Sequence, residues 1–201
     1  MTPGSSRILA ACLALSLAGG CATFRTTDTA RTATEQFLVN TATARAVERL
    51  QLPTLRDRSV FVDTTYLSGS AAPSQDQSYL VGEVRAKLLQ IGARISDDRE
   101  TADVILELRA QSLGVDRYEY LLGLPAGSAG TLNNDIVVSP EIAFVKWLRQ
   151  EGYVSISIVA YWRNNGELAG LAGPSLGRTT RADYWFFGIG PRTSGDITSA
   201  E

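Results

Sequence analysis

The chain has no histidine, and its 201 residues include only two cysteines, Cys12 and Cys21. A Ser-His-Asp or Cys-His nucleophilic site needs an imidazole base, so both are excluded. Zinc held by imidazole or thiolate is excluded with them. Lysine is nearly as scarce: Lys87 and Lys146 are two of 19 basic residues, and neither sits in the S-x-x-K pattern of a Ser–Lys pair. No Gly-rich loop ends in Gly-Lys-Ser/Thr, which removes the P-loop. A formal net charge of −2 leaves no broad basic field, so nucleic acid is not an expected partner. These absences point to a protein that is not an enzyme and uses no cofactor and no metal.

What is present begins at the N-terminus. Arg7 precedes an uncharged stretch from Ile8 to Phe24, of which Ile8–Leu17 is almost wholly apolar. A positive residue, a short apolar core and small residues before a boundary are the parts of a secretory signal. The run is too short and too Gly-broken for a membrane span of roughly 20 apolar residues. It closes on Ala18-Gly19-Gly20-Cys21, which resembles the bacterial lipobox, whose cysteine becomes the acylated first residue of the mature chain. Ala18 stands where that pattern usually has a bulkier residue. The alternative is ordinary signal-peptidase cleavage with Cys21 as a spare thiol; lipidation of Cys21 is the preferred reading. Cys12 leaves with the leader, so no disulfide is expected. One acyl chain holds a protein marginally and several hold it firmly, so the resemblance implies stable anchoring.

The expected organisation is a signal peptide at 1–20, a lipidated N-terminus and Thr-rich tether at 21–34, and one globular domain at 35–197. Ala22–Thr34 holds six threonines and no apolar periodicity. Thr32-Ala33-Thr34-Glu35 reads as a capping box opening a helix that runs to about Leu50, before Pro53. Ser59–Tyr66 is β-branched and aromatic and predicts a strand. A polar loop at Ser68–Gln77 leads to a second helix over Ser78–Ile91, with Gly92 in the stop position. Ala93–Ser96 predicts a short strand and Val104–Leu113 a long one, with an acidic turn at Asp97–Asp103 between them. Tyr120–Gly130 is apolar yet full of breakers and predicts a loop. Glu141–Gln150 suits a helix by spacing or a strand by composition. Tyr153–Trp162 alternates, Asn164-Asn165-Gly166 is a hairpin turn, and Glu167–Ala172 returns. Arg181–Ile189 closes the order. The fold class is α+β: one mixed or antiparallel sheet with two or three helices packed on it.

Two motifs look like chemistry and read better as structure. Gly173-Pro174-Ser175-Leu176-Gly177 matches the G-x-S-x-G nucleophile elbow, but that motif needs a strand before it, a helix after it and a histidine base. A turn leaving the hairpin is the better reading. Asp97, Asp98, Glu100 and Asp103 could hold a hard cation, but Arg99 sits among them and a solvated hairpin turn is preferred. Two apolar stretches remain. Tyr184–Pro191 reads as a buried closing strand, with an interaction edge as the competing reading. Leu121–Pro125 is either an exposed contact site or a tucked loop. The candidate interaction surface is therefore Tyr120, Leu121, Leu122 and Leu124, with Trp185 and Phe187 beside it.

Cys21-Ala22-Thr23-Phe24-Arg25-Thr26-Thr27, Glu35-Gln36, Ala46–Leu50, Ala102-Asp103-Val104, Pro140-Glu141-Ile142 and Ser194–Ile197 carry a further likeness. On these residues the mature chain resembles an uncharacterised family of bacterial lipoproteins whose domains have no known function. The resemblance implies a periplasm-facing location, with the outer membrane favoured because Ala22 rather than aspartate follows Cys21. It implies no mechanism. The expected partners are the membrane, through the N-terminal lipid, and another envelope protein. A subunit of an envelope assembly or export complex is the second hypothesis. A pore would need long amphipathic hairpins; Tyr153–Ala172 is the candidate, and its turn is too tight and its arms too short.

Overall fold

The computed structural model describes residues 21–26, 32–67, 75–125, 127–132, 135–139 and 141–197; for 21–26, 127–132 and 135–139 it describes the backbone alone. The leader at 1–20, the Cys21 side chain, tether residues 27–31 and most of the polar loop, 68–74, lie outside the described residues.

Strands β1 (Cys21–Thr26), β2 (Ser59–Asp63), β3 (Arg94–Ser96), β4 (Val104–Leu124), β7 (Ile142–Trp162), β8 (Leu168–Phe186) and β9 (Ile189–Gly195) form one mixed sheet. Its order is β3-β2-β4-β7-β8-β9, and β1 pairs with β4. Strands β5 (Gly127–Leu132) and β6 (Asp135–Ser139) pair antiparallel as a separate hairpin. Helices α1 (Ala33–Glu48) and α2 (Gln75–Gln90) complete the α+β class read from the sequence. The described residues divide into two compact units: unit 1 from within 21–25, 117–150 and 181–197, and unit 2 from within 26–116 and 151–180.

Unit 2 holds the core. Thr32 caps α1 as the sequence predicts: its hydroxyl accepts from the Glu35 amide, and the Glu35 carboxylate accepts from the Thr32 amide at 2.9 Å. Two donors that the first helical turn leaves unpaired are thereby satisfied. Gly92 ends α2 with φ +90°, a conformation glycine adopts without penalty. The β2–α2–β3 stretch is a crossover between parallel neighbours, with Val60 opposite Ile95, and β2 is parallel to β4 on its other side. Leu38, Val39, Ala42 and Ala46 of α1, Leu80, Val84 and Leu88 of α2, and alternating Val154, Ile156, Ile158 and Ala160 of β7 are all buried. Helix α1 lies unusually close to β8. The Ser175 hydroxyl donates to the Ala46 carbonyl and the Thr179 hydroxyl to that of Leu38, both at 2.7 Å. A Cβ on Gly177 would sit 1.8 Å from the Ala42 oxygen, so only glycine permits this approach.

Several local expectations change. Tyr120–Leu124 is not a loop but the end of β4. Gly123 there is not a breaker: a Cβ on it would meet the Ile142 carbonyl oxygen at 2.0 Å, so its bareness lets the backbones of β4 and β7 close up. Glu141–Gln150 resolves to strand from Ile142 onward. The predicted turn at Gly173–Gly177 lies inside β8. The acidic segment Asp97–Asp103 is not a hairpin turn, because β3 and β4 flank β2 rather than each other. The hairpin turn at Asn164–Gly166 is where it was expected, with the Trp162 amide donating to the Glu167 carbonyl. Its arms, however, are β7 of 21 residues and β8 of 19, so the objection that they are too short does not stand.

Candidate interaction surface

Unit 1 is built from the far part of β4, the first part of β7, the last part of β8, and β1, β5, β6 and β9. Its described residues include no helix, and Ile197 is the one apolar side chain among them that is buried. The same unit exposes Tyr120, Leu122 and Leu124 on β4, Ile142 and Phe144 on β7, and Phe186, Phe187 and Ile189 around the β8–β9 turn. So little buried apolar surface among the described side chains, beside this much that is exposed, is outside what a free soluble domain usually shows.

Alternation along the strands sorts these side chains. Tyr120, Leu122 and Leu124 are 46%, 42% and 61% exposed and share one face of β4. Tyr120 stacks on Trp147 of β7 with ring centroids 5.1 Å apart, and Trp147 stacks on Tyr184 of β8 at 5.8 Å. This three-ring ladder crosses three neighbouring strands and fixes Leu122, Leu124, Trp147, Tyr184 and Phe186 to the same face. Within the ladder, the Trp147 Nε1 is buried without a hydrogen-bond partner, a cost the packing of its ring must offset.

The opposite face is ionic. Lys146 bridges Glu119 at 2.8 Å and Glu141 at 3.0 Å, and Arg117 approaches Glu119 at 3.4 Å. The hydrogen bond from Lys146 holds the Glu119 carboxyl below the ordinary glutamate range, and the same bond raises the Lys146 ammonium above its own. Arg181 pairs with Asp183 at 3.0 Å, and the Thr193 hydroxyl donates to the same carboxylate. One face of unit 1 thus carries the aromatic ladder and its leucines, while the other carries the ion pairs and, by the same alternation from Lys146, the exposed Ile142 and Phe144.

Of the residues picked from sequence, Tyr120, Leu122 and Leu124 come together, while Leu121 is half-buried on the other side of β4. Trp185 is half-buried and points away from Tyr184's face. Phe187 is 76% exposed in a two-residue turn, with φ +49° at Phe187 and +77° at Gly188. A bulky residue seldom takes that backbone shape. Here the Phe187 amide donates to the Phe144 carbonyl, and the two rings meet edge on at 6.0 Å. Sequence reading missed Trp147, and placed Tyr184 and Phe186 only in the competing edge reading of Tyr184–Pro191 rather than on the face of Tyr120. Their spacing in the chain carries no common signal, and only strand register unites them.

The remaining candidates in unit 2 have structural partners. The Ser175 hydroxyl is buried against α1. Arg99, from within the acidic segment, reaches Asp63 at 2.6 Å and the Tyr161 hydroxyl at 2.9 Å. Burial pushes the Asp63 carboxyl up, but the Thr65 hydroxyl and amide and the Arg99 guanidinium outweigh it and hold the group below its ordinary range. Asp97 pairs with Arg85, and Asp103 accepts from the Ser59 amide. Among the described residues no three His, Cys, Asp or Glu side chains are grouped to hold a metal ion. A groove of about 280 Å³ between α1 and α2 is lined by Val47, Glu48, Glu83 and Lys87, and the Lys87 ammonium is tied to the Glu48 carbonyl.

No helix among the described residues is long and apolar enough to cross a membrane. No curated protein matches the chain. Residues 14–200 match the model of a family of unknown function, DUF6655, and the chain belongs to that uncharacterised family.

Proposed function

We propose that this chain is a bacterial lipoprotein, anchored in the cell envelope by acyl groups on Cys21 and facing the periplasm, with the outer membrane favoured. It acts without catalysis, as an interaction domain whose binding surface is the apolar face of unit 1. The observation that carries this reading is the contrast within unit 1, whose described side chains expose Tyr120, Leu122, Leu124, Phe186 and Phe187 while Ile197 is the one apolar side chain among them that is buried. The uncharged run ending in Ala18-Gly19-Gly20-Cys21 supports the anchoring. The lack of histidine supports a non-enzymatic role.

Mass spectrometry of the native N-terminal peptide tests the anchor, with acylated Cys21 expected; a free thiol, or cleavage elsewhere, refutes it. Photo-crosslinking from position 122 in intact cells tests the surface. Capture of lipid or of an envelope protein supports it, and no product at all counts against it. A second reading, a subunit of an envelope assembly or export complex, is favoured by the lengths of β4, β7 and β8, at 21, 21 and 19 residues.

A further inference from the structure

Taking the apolar face of unit 1 as the binding surface, we infer that its occupant is an anionic phospholipid bilayer. The sheet rests on the headgroup boundary through Tyr120, Trp147 and Tyr184 and sinks Leu122, Leu124 and Phe186 into the acyl region. Three observations carry this.

The first is the order of side chains. A ladder of Tyr, Trp and Tyr stands beside leucine and phenylalanine further along the same strands. Aromatic residues with a polar tip favour the boundary between headgroups and hydrocarbon, and aliphatic ones the region below. The second is where charge is missing. Tyr120–Pro125 and Tyr184–Pro191 contain no Asp, Glu, Lys or Arg. Glu141, just before β7, is folded onto Lys146 of the ionic face. The third is the sign of the charges that the face does carry. In unit 1, alternation from Trp147 places Arg149 on it, and the pairing of Tyr184 with Arg192 places Arg192 there. Both are cationic and lie level with the ladder or on its side away from Leu122 and Leu124, where phosphate groups would be. A protein partner would leave the joint exclusion of acidic residues and the aromatic border unexplained. The ladder face is apolar and cationic, the ion pairs lie on the opposite face, and Ile142 and Phe144 add exposed apolar surface to that opposite face near the same ends of the strands.

The test uses two full-length chains carrying Cys21→Ser, which cannot be acylated, each with one tryptophan. Trp162→Phe with Trp185→Phe leaves Trp147 on the apolar face, and Trp162→Phe with Trp147→Phe leaves Trp185 on the other. Each is mixed with vesicles of phosphatidylethanolamine and phosphatidylglycerol, three to one, with brominated acyl chains. Bromine quenches tryptophan only at short range, so insertion of the leader alone leaves both residues bright. The expected result is quenching of Trp147 well beyond that of Trp185. Adding Arg149→Gln and Arg192→Gln should raise the half-saturating lipid concentration roughly 10-fold or more. Adding Leu122→Ser and Leu124→Ser should abolish quenching while the circular dichroism spectrum is kept. No quenching of Trp147, equal quenching of both tryptophans, or equal binding to phosphatidylcholine alone overturns the inference. So does capture of a protein rather than lipid from position 122. Because these chains carry no acyl group, the outcome is independent of whether native Cys21 is lipidated.

Discussion

Replacing Gly177 by alanine is the sharpest test of how the helical layer is seated. The added Cβ would lie 1.8 Å from the Ala42 carbonyl oxygen, 2.8 Å from its carbon and 2.9 Å from the Ala46 nitrogen. All three are backbone atoms of α1, so no side chain can swing aside. Ordinary contact needs about 3.5 Å, so the helix must retreat by about 1.7 Å. Four bonds resist that retreat: Ser175 to Ala46, Thr179 to Leu38, Arg45 to the Arg178 carbonyl and Arg49 to the Leu176 carbonyl, at 2.6–2.7 Å. Overpacking costs about 1–3 kcal/mol, and each buried hydroxyl bond that is strained adds up to about 1 kcal/mol. The expected loss is about 3 kcal/mol, a large share of the roughly 5–15 kcal/mol that holds a domain together. For a chain of this size the midpoint should fall by roughly 6–12 °C. Gly82→Ala is the matched control. Gly82 is exposed inside α2 with nothing within 4 Å of its Cβ position, so alanine should stabilise by about 0.5–1 kcal/mol. Thermal and urea unfolding by circular dichroism measure both. A Gly177→Ala midpoint within about 2 °C of the parent would show that α1 does not press on β8 as described.

Leu122→Ser with Leu124→Ser should leave the midpoint nearly unchanged, because both side chains are exposed; a core position would lose about 2–5 kcal/mol, so a marked drop would place them in the fold. Thr32→Ala removes the capping box and should cost about 1 kcal/mol, read in a urea melt, with an unchanged midpoint as the refuting result. The Asp63 carboxyl is held below its unfolded value, so its contribution is present above about pH 4 and is lost as pH falls through the folded value. Arg99→Leu should raise that folded value and move the acid-unfolding midpoint to higher pH; superimposed acid titrations would contradict it.

The features legible in the sequence are those decided within a few residues. Thr32 and Glu35 satisfy each other's backbone one turn apart, Gly92 takes a conformation available to glycine, and Asn164-Asn165-Gly166 turns the chain back on itself, so each is written in its own neighbourhood. The alternation of Val154, Ile156, Ile158 and Ala160 likewise marks one buried face. What needed the tertiary structure was decided between residues far apart in the chain. Gly123 and Pro125 look like breakers until β7 lies alongside, when the bare Gly123 becomes the reason two backbones can close up. Ser175 resembles a nucleophile until α1 comes down on it, and Gly177 marks how close that helix is. The interaction surface shows the same division. Tyr120 and its leucines could be named from their composition, but Trp147 and Tyr184 join them only through strand register. Register depends on which strands pair and where bulges fall, and neither is recorded in any short stretch of the chain.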